Sequence, residues 1–187
     1  MDQKCVRADV RARLIARRAN LPERERAVAG LAARVARWLA QEAPRCVGFY
    51  WPYRGEPDLR PVLAAWLAGA PGRRAALPVI VDGAMEFHAW SPAMSMVRGA
   101  YGIAVPAEAC RVNPDAVLIP CVGFDAAGYR LGYGAGWYDR TLARLTPRPR
   151  TVGVAFEACR LESIDPESHD IPLDAILTEA SETKSRT

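Results

Sequence analysis

Hydrophobic positions in the first forty residues recur at the spacing of two amphipathic helices. Val6, Val10 and Leu14 are spaced i, i+4, i+8 and so share one stripe. A break at 20–23, which contains a proline, separates them from a second stripe. That stripe consists of Val28, Leu31, Val35 and Leu39. The pattern predicts a pair of helices over residues 1–43.

From residue 44 onwards, short apolar runs of strand length alternate with helical segments. The predicted strands are 46–51, 75–81, 85–90, 116–119, 151–156 and 175–178, and the predicted helices follow Asp58 and cover 137–145. This alternation predicts an α/β protein with an open, mostly parallel sheet and helices on both faces. Because no repeat or linker interrupts the pattern, we expect one domain over 1–187, with an α/β core at 44–180 and a flexible tail at 181–187.

The composition is that of a globular protein that does not enter a membrane. Half of the 187 residues are apolar, which is enough for one sizeable core. No apolar run reaches the length of a membrane span, and the N-terminus lacks the apolar segment of a signal peptide. The five cysteines are scattered without a metal-binding spacing, which predicts free thiols. We therefore expect a cytoplasmic protein.

The net charge of +4 lies entirely within residues 1–26, which hold eight basic and four acidic side chains. Arg7, Arg11 and Arg18 fall on one side of the first predicted helix. Such a stripe is either a solvated helix face or the site of an anionic partner. Nucleic-acid binding is disfavoured, because the arginines are not interleaved with aromatic residues and the rest of the chain is neutral.

A glycine-rich loop at 123–136 carries the most distinctive chemistry. Gly132, Gly134 and Gly136 alternate just before a predicted helix, so backbone N–H groups there could approach a phosphate closely. Arg130 and Arg140 could supply positive charge, and Asp139 could hold Mg²⁺. The loop is neither G-x-x-x-x-G-K-S/T nor G-x-G-x-x-G, and on the glycines alone a simple tight turn is favoured over a phosphate site.

The full string, Arg130-Leu-Gly-Tyr-Gly-Ala-Gly-Trp-Tyr-Asp-Arg140 after Gly-Phe-Asp-x-x-Gly, closely resembles the signature of the 5-formyltetrahydrofolate cyclo-ligase family. Further matches follow in the family's order over roughly residues 7–180. They are the basic pair Arg7 and Arg11, the aromatic and proline loop 50–56, Gly-Ile-x-x-Pro at 102–106 and His-Asp-Ile-Pro-x-Asp at 169–174. The resemblance implies a Rossmann-like three-layer fold of the NagB/RpiA/CoA-transferase type.

The same resemblance implies an enzyme that uses ATP and Mg²⁺ to close 5-formyltetrahydrofolate into 5,10-methenyltetrahydrofolate. ADP and phosphate would be released. We expect these small molecules to be the binding partners, and we expect no binding to nucleic acid or to a membrane. The expected oligomeric state is a monomer. The rival interpretation is another nucleotide- or sugar-phosphate-binding α/β enzyme that lacks folate chemistry.

Roles for individual residues also come from the resemblance. Catalytic roles are implied for Arg130 and Asp139, and Mg²⁺ ligation for Asp139 and Asp174. The implied ATP-binding residues are Arg7, Arg11, Arg130, Gly132, Tyr133, Gly134, Ala135, Gly136, Trp137 and Tyr138. The implied folate-binding residues are Trp51, Glu56, Tyr133 and Trp137, with Tyr53 as a further flat surface. Aromatic residues after a strand also commonly pack in a core, and we expect His88 and His169 to be structural or surface residues.

The chain departs from the family pattern at four positions. Ala135 stands where a lysine is often found, and Trp137 stands where a tyrosine is common. Val105 and Cys159 replace a frequent glutamate and glutamine. The loss at Ala135 would leave Arg7, Arg11 and Arg130 to supply charge to phosphate, so the interpretation requires the start of the chain to meet the loop at 130–139.

Overall fold

Two long helices precede the sheet in the computed structural model, which describes residues 3–168 and 170–184. They are α1 (Gln3–Ala19) and α2 (Arg24–Glu42), so the predicted helical pair is confirmed. The apolar stripe of α2 is buried. On α1 burial increases along the helix, from Val6, which is 43% exposed, to Leu14, which is 3% exposed. Only the C-terminal half of α1 is therefore anchored in the core.

Eleven strands and two shorter helices follow within the described residues. The strands are β1 (Cys46–Gly48), β2 (Arg74–Val81), β3 (Ala84–Trp90), β4 (Met96–Arg98), β5 (Ala104–Pro106), β6 (Ala116–Pro120), β7 (Gly123–Phe124), β8 (Arg130–Leu131), β9 (Arg150–Val154), β10 (Ala175–Leu177) and β11 (Glu182–Lys184). The helices are α3 (Arg60–Ala68) and α4 (Trp137–Leu142).

Seven of these strands form the central sheet, in the order β11-β10-β9-β6-β1-β2-β3. The five inner strands are parallel, and the two outer strands, β3 and β11, pair antiparallel with their neighbours. The predicted mostly parallel sheet is confirmed. Two small antiparallel pairs, β4-β5 and β7-β8, lie outside it.

Both faces of the sheet are covered by helices, as the alternation predicted. Successive side chains of a strand point to opposite faces, so the fully apolar β6 serves two cores. Leu118 packs in the cluster that contains the apolar side chains of α2 and α3. Val117 and Ile119 pack in a second cluster, which contains Leu142 of α4 and Phe124 of β7.

Helix α1 lies across loops that follow the carboxyl ends of the strands. Leu14 packs in a third apolar cluster with Val122, Leu131 and Cys159. Gly123 permits this approach, because a Cβ atom there would lie 2.6 Å from Leu14 Cδ1. The packing of Leu14 brings the basic stripe of α1 to the segment that leaves β8.

The order of the strands leaves a crevice between β1 and β6. From β1 the chain crosses through α3 to β2 on one side, whereas β6 lies on the other side of β1. Loops that leave two such neighbours in opposite directions open a ligand-binding crevice at the carboxyl ends of the strands. The segments that enter this crevice are 49–56 after β1 and 121–139 after β6.

Several details differ from the sequence-based prediction. The helix predicted over 137–145 ends at Leu142. The strand predicted at 46–51 ends at Gly48, because the chain then leaves the sheet toward the crevice. The glycine-rich loop contains the β7-β8 hairpin. The prediction of a flexible tail from 181 does not hold for Glu182–Lys184, which pair with β10. A turn closed by a hydrogen bond from the Thr178 N–H to the Ser181 carbonyl connects the two strands. Residues 185–187 lie outside the described part of the chain.

All five cysteines are free, in agreement with the prediction. Among residues 3–168 and 170–184, no helix combines the length and the apolar character required to cross a bilayer. The division of the chain into a single domain stays a prediction.

Candidate functional site

The crevice between β1 and β6 opens into a cavity of about 870 Å³. Its walls come from the loop after β1, the β4-β5 hairpin, the glycine-rich loop, α1 and the segment around Asp170. This volume lies in the range of sites for small molecules and cofactors. With the exceptions of Asp174 and Arg140, the predicted site residues line it.

The start of the chain meets the glycine-rich loop at this cavity. The Arg11 Nε–H donates to the Gly132 carbonyl at 2.8 Å. Gly134, with φ of 96°, presents its open side to the same guanidinium, and a Cβ atom there would lie 3.3 Å from Arg11 Cζ. Burial, followed by repulsion from Arg7, lowers the pKa of Arg11. An anion bound beside these two arginines would be favoured electrostatically.

Arg7 lines the cavity but is paired with acidic side chains that the sequence did not single out. Its Nη1 lies 3.2 Å from Glu167 Oε1, and its Nη2 lies 2.9 Å from Asp170 Oδ2. It also donates to the carbonyls of Ile164 and Asp165. Arg7 therefore ties the segment at 164–170 to α1, and these carboxylates offset part of its charge.

Arg130 and Asp139, the two predicted catalytic residues, form one ion pair. Arg130 Nη2 lies 2.7 Å from Asp139 Oδ1, and only 8% of the arginine is exposed. The pair also holds the backbone of Ile171, whose carbonyl accepts from Arg130 Nη1 at 3.0 Å and whose N–H donates to Asp139 Oδ1 at 3.2 Å. Both contacts to the carboxylate engage Oδ1, which orients Oδ2 relative to the cavity.

Asp174 does not join Asp139, so the structure does not support the predicted two-carboxylate metal site. Asp174 immediately precedes β10, at the amino edge of the sheet, whereas the cavity lies at the carboxyl edge. Its Oδ2 accepts from the Thr151 N–H at 2.6 Å and from the Thr151 hydroxyl at 2.8 Å. The carboxylate thus joins the starts of two strands. Within the described residues, no group of three or more His, Cys, Asp or Glu side chains is arranged to hold a metal.

The glycine-rich loop ends in α4, and Arg140 folds back over it. Arg140 Nη1 donates to the Ala135 carbonyl at 2.7 Å, and its Cζ lies 4.7 Å from the ring centre of Trp137. A positive charge therefore lies beside Ala135, where the family often has a lysine. The indole N–H of Trp137 donates to the Tyr101 hydroxyl at 3.2 Å, which joins the loop to the chain between β4 and β5.

Glu56 is the buried carboxylate of the cavity, and only 5% of it is exposed. Its Oε2 accepts from the Tyr53 N–H at 2.8 Å, and its Oε1 accepts from the Tyr133 hydroxyl at 2.8 Å. Burial raises the pKa of Glu56 to about 7, although the hydrogen bond from Tyr133 and the charge of Arg18 oppose the increase. The group therefore lies near the point of half-ionisation at neutral pH.

Aromatic side chains surround Glu56. Tyr53 and Tyr133 pack edge to face, with 5.6 Å between their ring centres. Trp51 lines the cavity and also packs against the first apolar cluster, so the binding and core interpretations of this residue are compatible. Arg60 Cζ lies 4.3 Å from the Trp51 ring centre.

Arg18 is the residue of this region that sequence reasoning placed on the basic stripe but gave no role. It is only 2% exposed and donates to the Tyr133 hydroxyl at 2.7 Å and to the Arg54 carbonyl at 2.8 Å. The available signal was its position on the stripe of Arg7 and Arg11, eleven residues after the first and seven after the second. Arg18 therefore faces the protein interior, whereas Arg7 and Arg11 are partly buried and line the cavity.

The remaining positions that were considered from the sequence are Val105, Cys159, His88 and His169. Val105 lies in β5 and lines the cavity. Cys159 is buried, with its Sγ 3.9 Å from the Leu14 carbonyl under α1. His88 is buried in β3, 3.4 Å from a Glu86 carboxylate oxygen, in a structural setting as predicted. His169 lies outside the described residues.

Comparison with known proteins identifies the family. The model of the 5-formyltetrahydrofolate cyclo-ligase family matches residues 3–179. The chain belongs to this family. The 5-formyltetrahydrofolate cyclo-ligase of Escherichia coli (strain K12) is 32% identical over 173 residues, covering 87% of this chain and 93% of that protein. The cyclo-ligase of Mycolicibacterium smegmatis is 29% identical over 186 residues, covering 92% and 93%.

A comparison with solved structures supports the same family. The NMR structure of the Aquifex aeolicus 5,10-methenyltetrahydrofolate synthetase superposes with a TM-score of 0.83 at 31% identity, covering 97% of this chain and 94% of that one. The predicted family, the α/β fold class and the assignment to the cyclo-ligase enzymes are thereby confirmed.

Proposed function

We propose that this cyclo-ligase family member uses ATP and Mg²⁺ to convert 5-formyltetrahydrofolate into 5,10-methenyltetrahydrofolate, with release of ADP and phosphate. One observation carries the proposal. A single cavity has arginines and a glycine-rich loop at one part of its wall, and a buried carboxylate among aromatic rings at another. Such a cavity suits a triphosphate and a flat heterocycle placed side by side.

The reaction requires activation of a formamide, which is a poor electrophile because its nitrogen delocalises into the carbonyl. Attack of the formyl oxygen on the γ-phosphate of ATP releases ADP and forms an N5-iminium phosphate. The N10 amine of the folate then attacks that carbon and loses its proton, and inorganic phosphate leaves as the ring closes. The protein mainly positions the reactants and compensates charge.

At the phosphate end, Arg11, Arg130 and the backbone of Gly132–Gly136 would grip the triphosphate, with Arg7 and Tyr138 lining the same part of the cavity. Arg11 is already fixed on the Gly132 carbonyl, so its position costs little further ordering. Arg140 provides a charge beside Ala135. Arg140 would thereby replace the positive charge of the lysine that often stands at position 135 in the family.

Asp139 fits the role of a Mg²⁺ ligand. Mg²⁺ in nucleotide sites is held by one or two carboxylates together with phosphate oxygens and water, so a larger protein cluster is not required. Asp139 lines the cavity, and both of its contacts described above engage Oδ1, which leaves Oδ2 as the candidate ligand atom. Bound there, Mg²⁺ would neutralise charge on the transferred phosphoryl group.

At the folate end, Glu56 would accept hydrogen bonds from the N–H groups of the pterin ring. Trp51, Tyr53 and Tyr133 would supply flat apolar surface, and Trp137 would border the ring from the glycine-rich loop. Glu56 is the feature that favours this function over a sugar-phosphate enzyme, because a buried carboxylate among aromatic rings suits a planar donor better than a polyol.

The direct test combines the purified protein with 5-formyltetrahydrofolate, ATP and Mg²⁺. We expect the near-ultraviolet absorbance of the methenyl product to increase, with one ADP formed for each product molecule. Omission of ATP or addition of excess chelator should each abolish the increase. A flat trace without ADP would refute the proposal, and ADP formation without the methenyl product would favour the rival nucleotide-binding enzyme. The monomeric state and the cytoplasmic location stay predictions.

A further inference from the structure

We propose that Arg18 is a positioning residue for folate recognition. It holds Tyr133 and the 53–54 backbone so that ionisation of the Glu56 carboxylate is favoured and the group is presented to the folate. This inference rests on the proposed function and adds a residue that belongs to neither the phosphate-binding nor the folate-binding set.

The first observation is the burial of Arg18. Its guanidinium contacts three oxygens through Nη2: the Tyr133 hydroxyl at 2.7 Å, the Arg54 carbonyl at 2.8 Å and the Tyr53 carbonyl at 3.4 Å. Its Nε is buried without a hydrogen-bond partner among the described residues. A buried cation with an incomplete set of partners is costly, which favours a role beyond packing.

The second observation is the direction of the hydrogen bonds. The Tyr133 hydroxyl carries one proton and accepts a hydrogen bond from Arg18, so its own proton is available to Glu56 Oε1 at 2.8 Å. Arginine has no acceptor and cannot reverse this arrangement. Of the two acceptors of the Tyr133 proton, Glu56 Oε1 at 2.8 Å is nearer than the Tyr53 carbonyl at 3.3 Å, so the chain from Arg18 through Tyr133 favours the ionised form of Glu56.

The third observation concerns the charges that face Glu56. Arg18 from α1 is the cation that lowers the pKa of Glu56, together with the hydrogen bonds from Tyr133 and the Tyr53 backbone. The other titratable groups around the carboxylate are Tyr50 after β1, Cys121 after β6 and Tyr138 in α4. Burial raises the pKa of each of these three groups, so they are neutral at physiological pH.

A second arginine fixes the backbone of the loop that carries Glu56. Arg24 donates to the Arg18 carbonyl at 2.8 Å and to the Gly55 carbonyl at 2.9 Å. The loop that presents Glu56 is thereby joined to the end of α1 and the start of α2. Loss of Arg18 should therefore change the electrostatics of Glu56 more than the path of the loop.

The test compares Arg18→Met with wild type over a pH series. We expect the KM for 5-formyltetrahydrofolate to increase about tenfold near neutral pH, since a shift of one pKa unit changes an equilibrium tenfold. The ratio of variant to wild-type folate KM should fall as the pH rises, because Glu56 then ionises in both proteins. The KM for ATP should stay unchanged.

Arg17→Met is the matched control. Arg17 precedes Arg18 in the same helix and donates to the Ala158 carbonyl at 3.0 Å, away from Glu56. This control removes the same charge from α1 and should leave the folate KM and its pH dependence close to wild type. An equal effect of both substitutions would overturn the proposal.

Tyr133→Phe keeps the inference testable even if Arg18→Met does not fold. It removes the bridging hydroxyl but retains the ring, and should also raise the folate KM selectively. Combined with Arg18→Met, its effect should be smaller than the product of the two single effects. A folate KM ratio independent of pH, or equal changes in the KM values of folate and ATP, would contradict the proposal. Absence of turnover by wild type would instead refute the proposed function.

Discussion

At the scale of single residues, the cavity changes the behaviour of side chains that would be fully ionised in water. Glu56 lies among Tyr53, Tyr133 and Arg18, and burial raises its pKa to about 7 despite the donors around it. Asp139 is instead held by Arg130, with 2.7 Å between Arg130 Nη2 and Asp139 Oδ1. The two carboxylates of one cavity thus have different surroundings, which suit Glu56 to the proposed recognition of hydrogen-bond donors and Asp139 to the proposed Mg²⁺.

Glu56→Gln should raise the KM for 5-formyltetrahydrofolate with little change in the KM for ATP. Loss of charged hydrogen bonds predicts a change of roughly ten- to a hundredfold. Steady-state kinetics with each substrate varied in turn would measure it. Asp58→Asn, in the same loop, is the control, because Asp58 holds Arg60 rather than the cavity. Equal changes in both KM values would favour the enzyme without folate chemistry.

Asp139→Asn should reduce ATP-dependent turnover by on the order of a hundredfold or more, because charge compensation at the phosphoryl group is worth several kcal/mol. Titration of Mg²⁺ at fixed ATP would show the loss of metal dependence. Asp174→Asn is the matched control at the opposite edge of the sheet. It should cost about 1 kcal/mol of stability through the weakened contact with Thr151, with an unchanged requirement for Mg²⁺. Wild-type Mg²⁺ dependence in the Asp139 variant would show that another group holds the metal.

At the scale of elements, the phosphate end of the cavity depends on how closely α1 approaches the glycine-rich loop. Leu14 anchors α1 over Gly123, and one turn earlier Arg11 reaches the Gly132 carbonyl. Gly134 allows the contact through a positive φ and the absence of a side chain. Packing of one apolar side chain thus determines where a charged one is placed.

Gly134→Ala should raise the KM for ATP roughly five- to tenfold, because its Cβ would lie 3.3 Å from Arg11 Cζ and displace the guanidinium. The folate KM should change little. Gly72→Ala is the control, with φ of 81° and nothing within 4 Å of the added Cβ. Both variants should lose about 1–2 kcal/mol of stability from backbone strain, and only the first should change the ATP kinetics. A kinetic effect of the same size in both would indicate general destabilisation.

At the scale of the whole molecule, the binding cavity has a cost in stability. Burial of the Glu56 carboxylate raises its pKa from the ordinary value of 4.5 to about 7. The folded protein therefore binds this proton more tightly than the unfolded chain. The corresponding stabilisation is fully present below pH 4.5 and is lost as the pH rises through 7.

The stability of wild type relative to Glu56→Gln should accordingly fall by up to about 3 kcal/mol between pH 5 and 8, because glutamine does not titrate. Urea unfolding of both proteins at a series of pH values would measure the difference. A difference that is constant, or that grows with pH, would show that Glu56 is already fully ionised in the folded state below this range.

Local patterns in the sequence were sufficient for the elements and for the family. Apolar spacing along α2 and the uniformly apolar β6 report burial directly, because a helix or strand repeats its faces at a fixed period. The string from Arg130 to Arg140 carries the family resemblance, and its residues 130–139 line the cavity. Only short or irregular elements were missed, such as β11, whose three residues are too few to show a period.

The tertiary structure alone decided which charged groups meet. Arg7 pairs with Asp170, 163 positions away, and Arg18 contacts Tyr133, 115 positions away. No local period encodes contacts over such separations, since they depend on the order of the strands and on the packing of α1. The same topology places Asp174 at the amino edge of the sheet and Asp139 at the cavity. The sequence by itself determined which residues carry chemistry, and the fold determined which of them share a site, because the directions of parallel strands decide the edge at which each loop emerges.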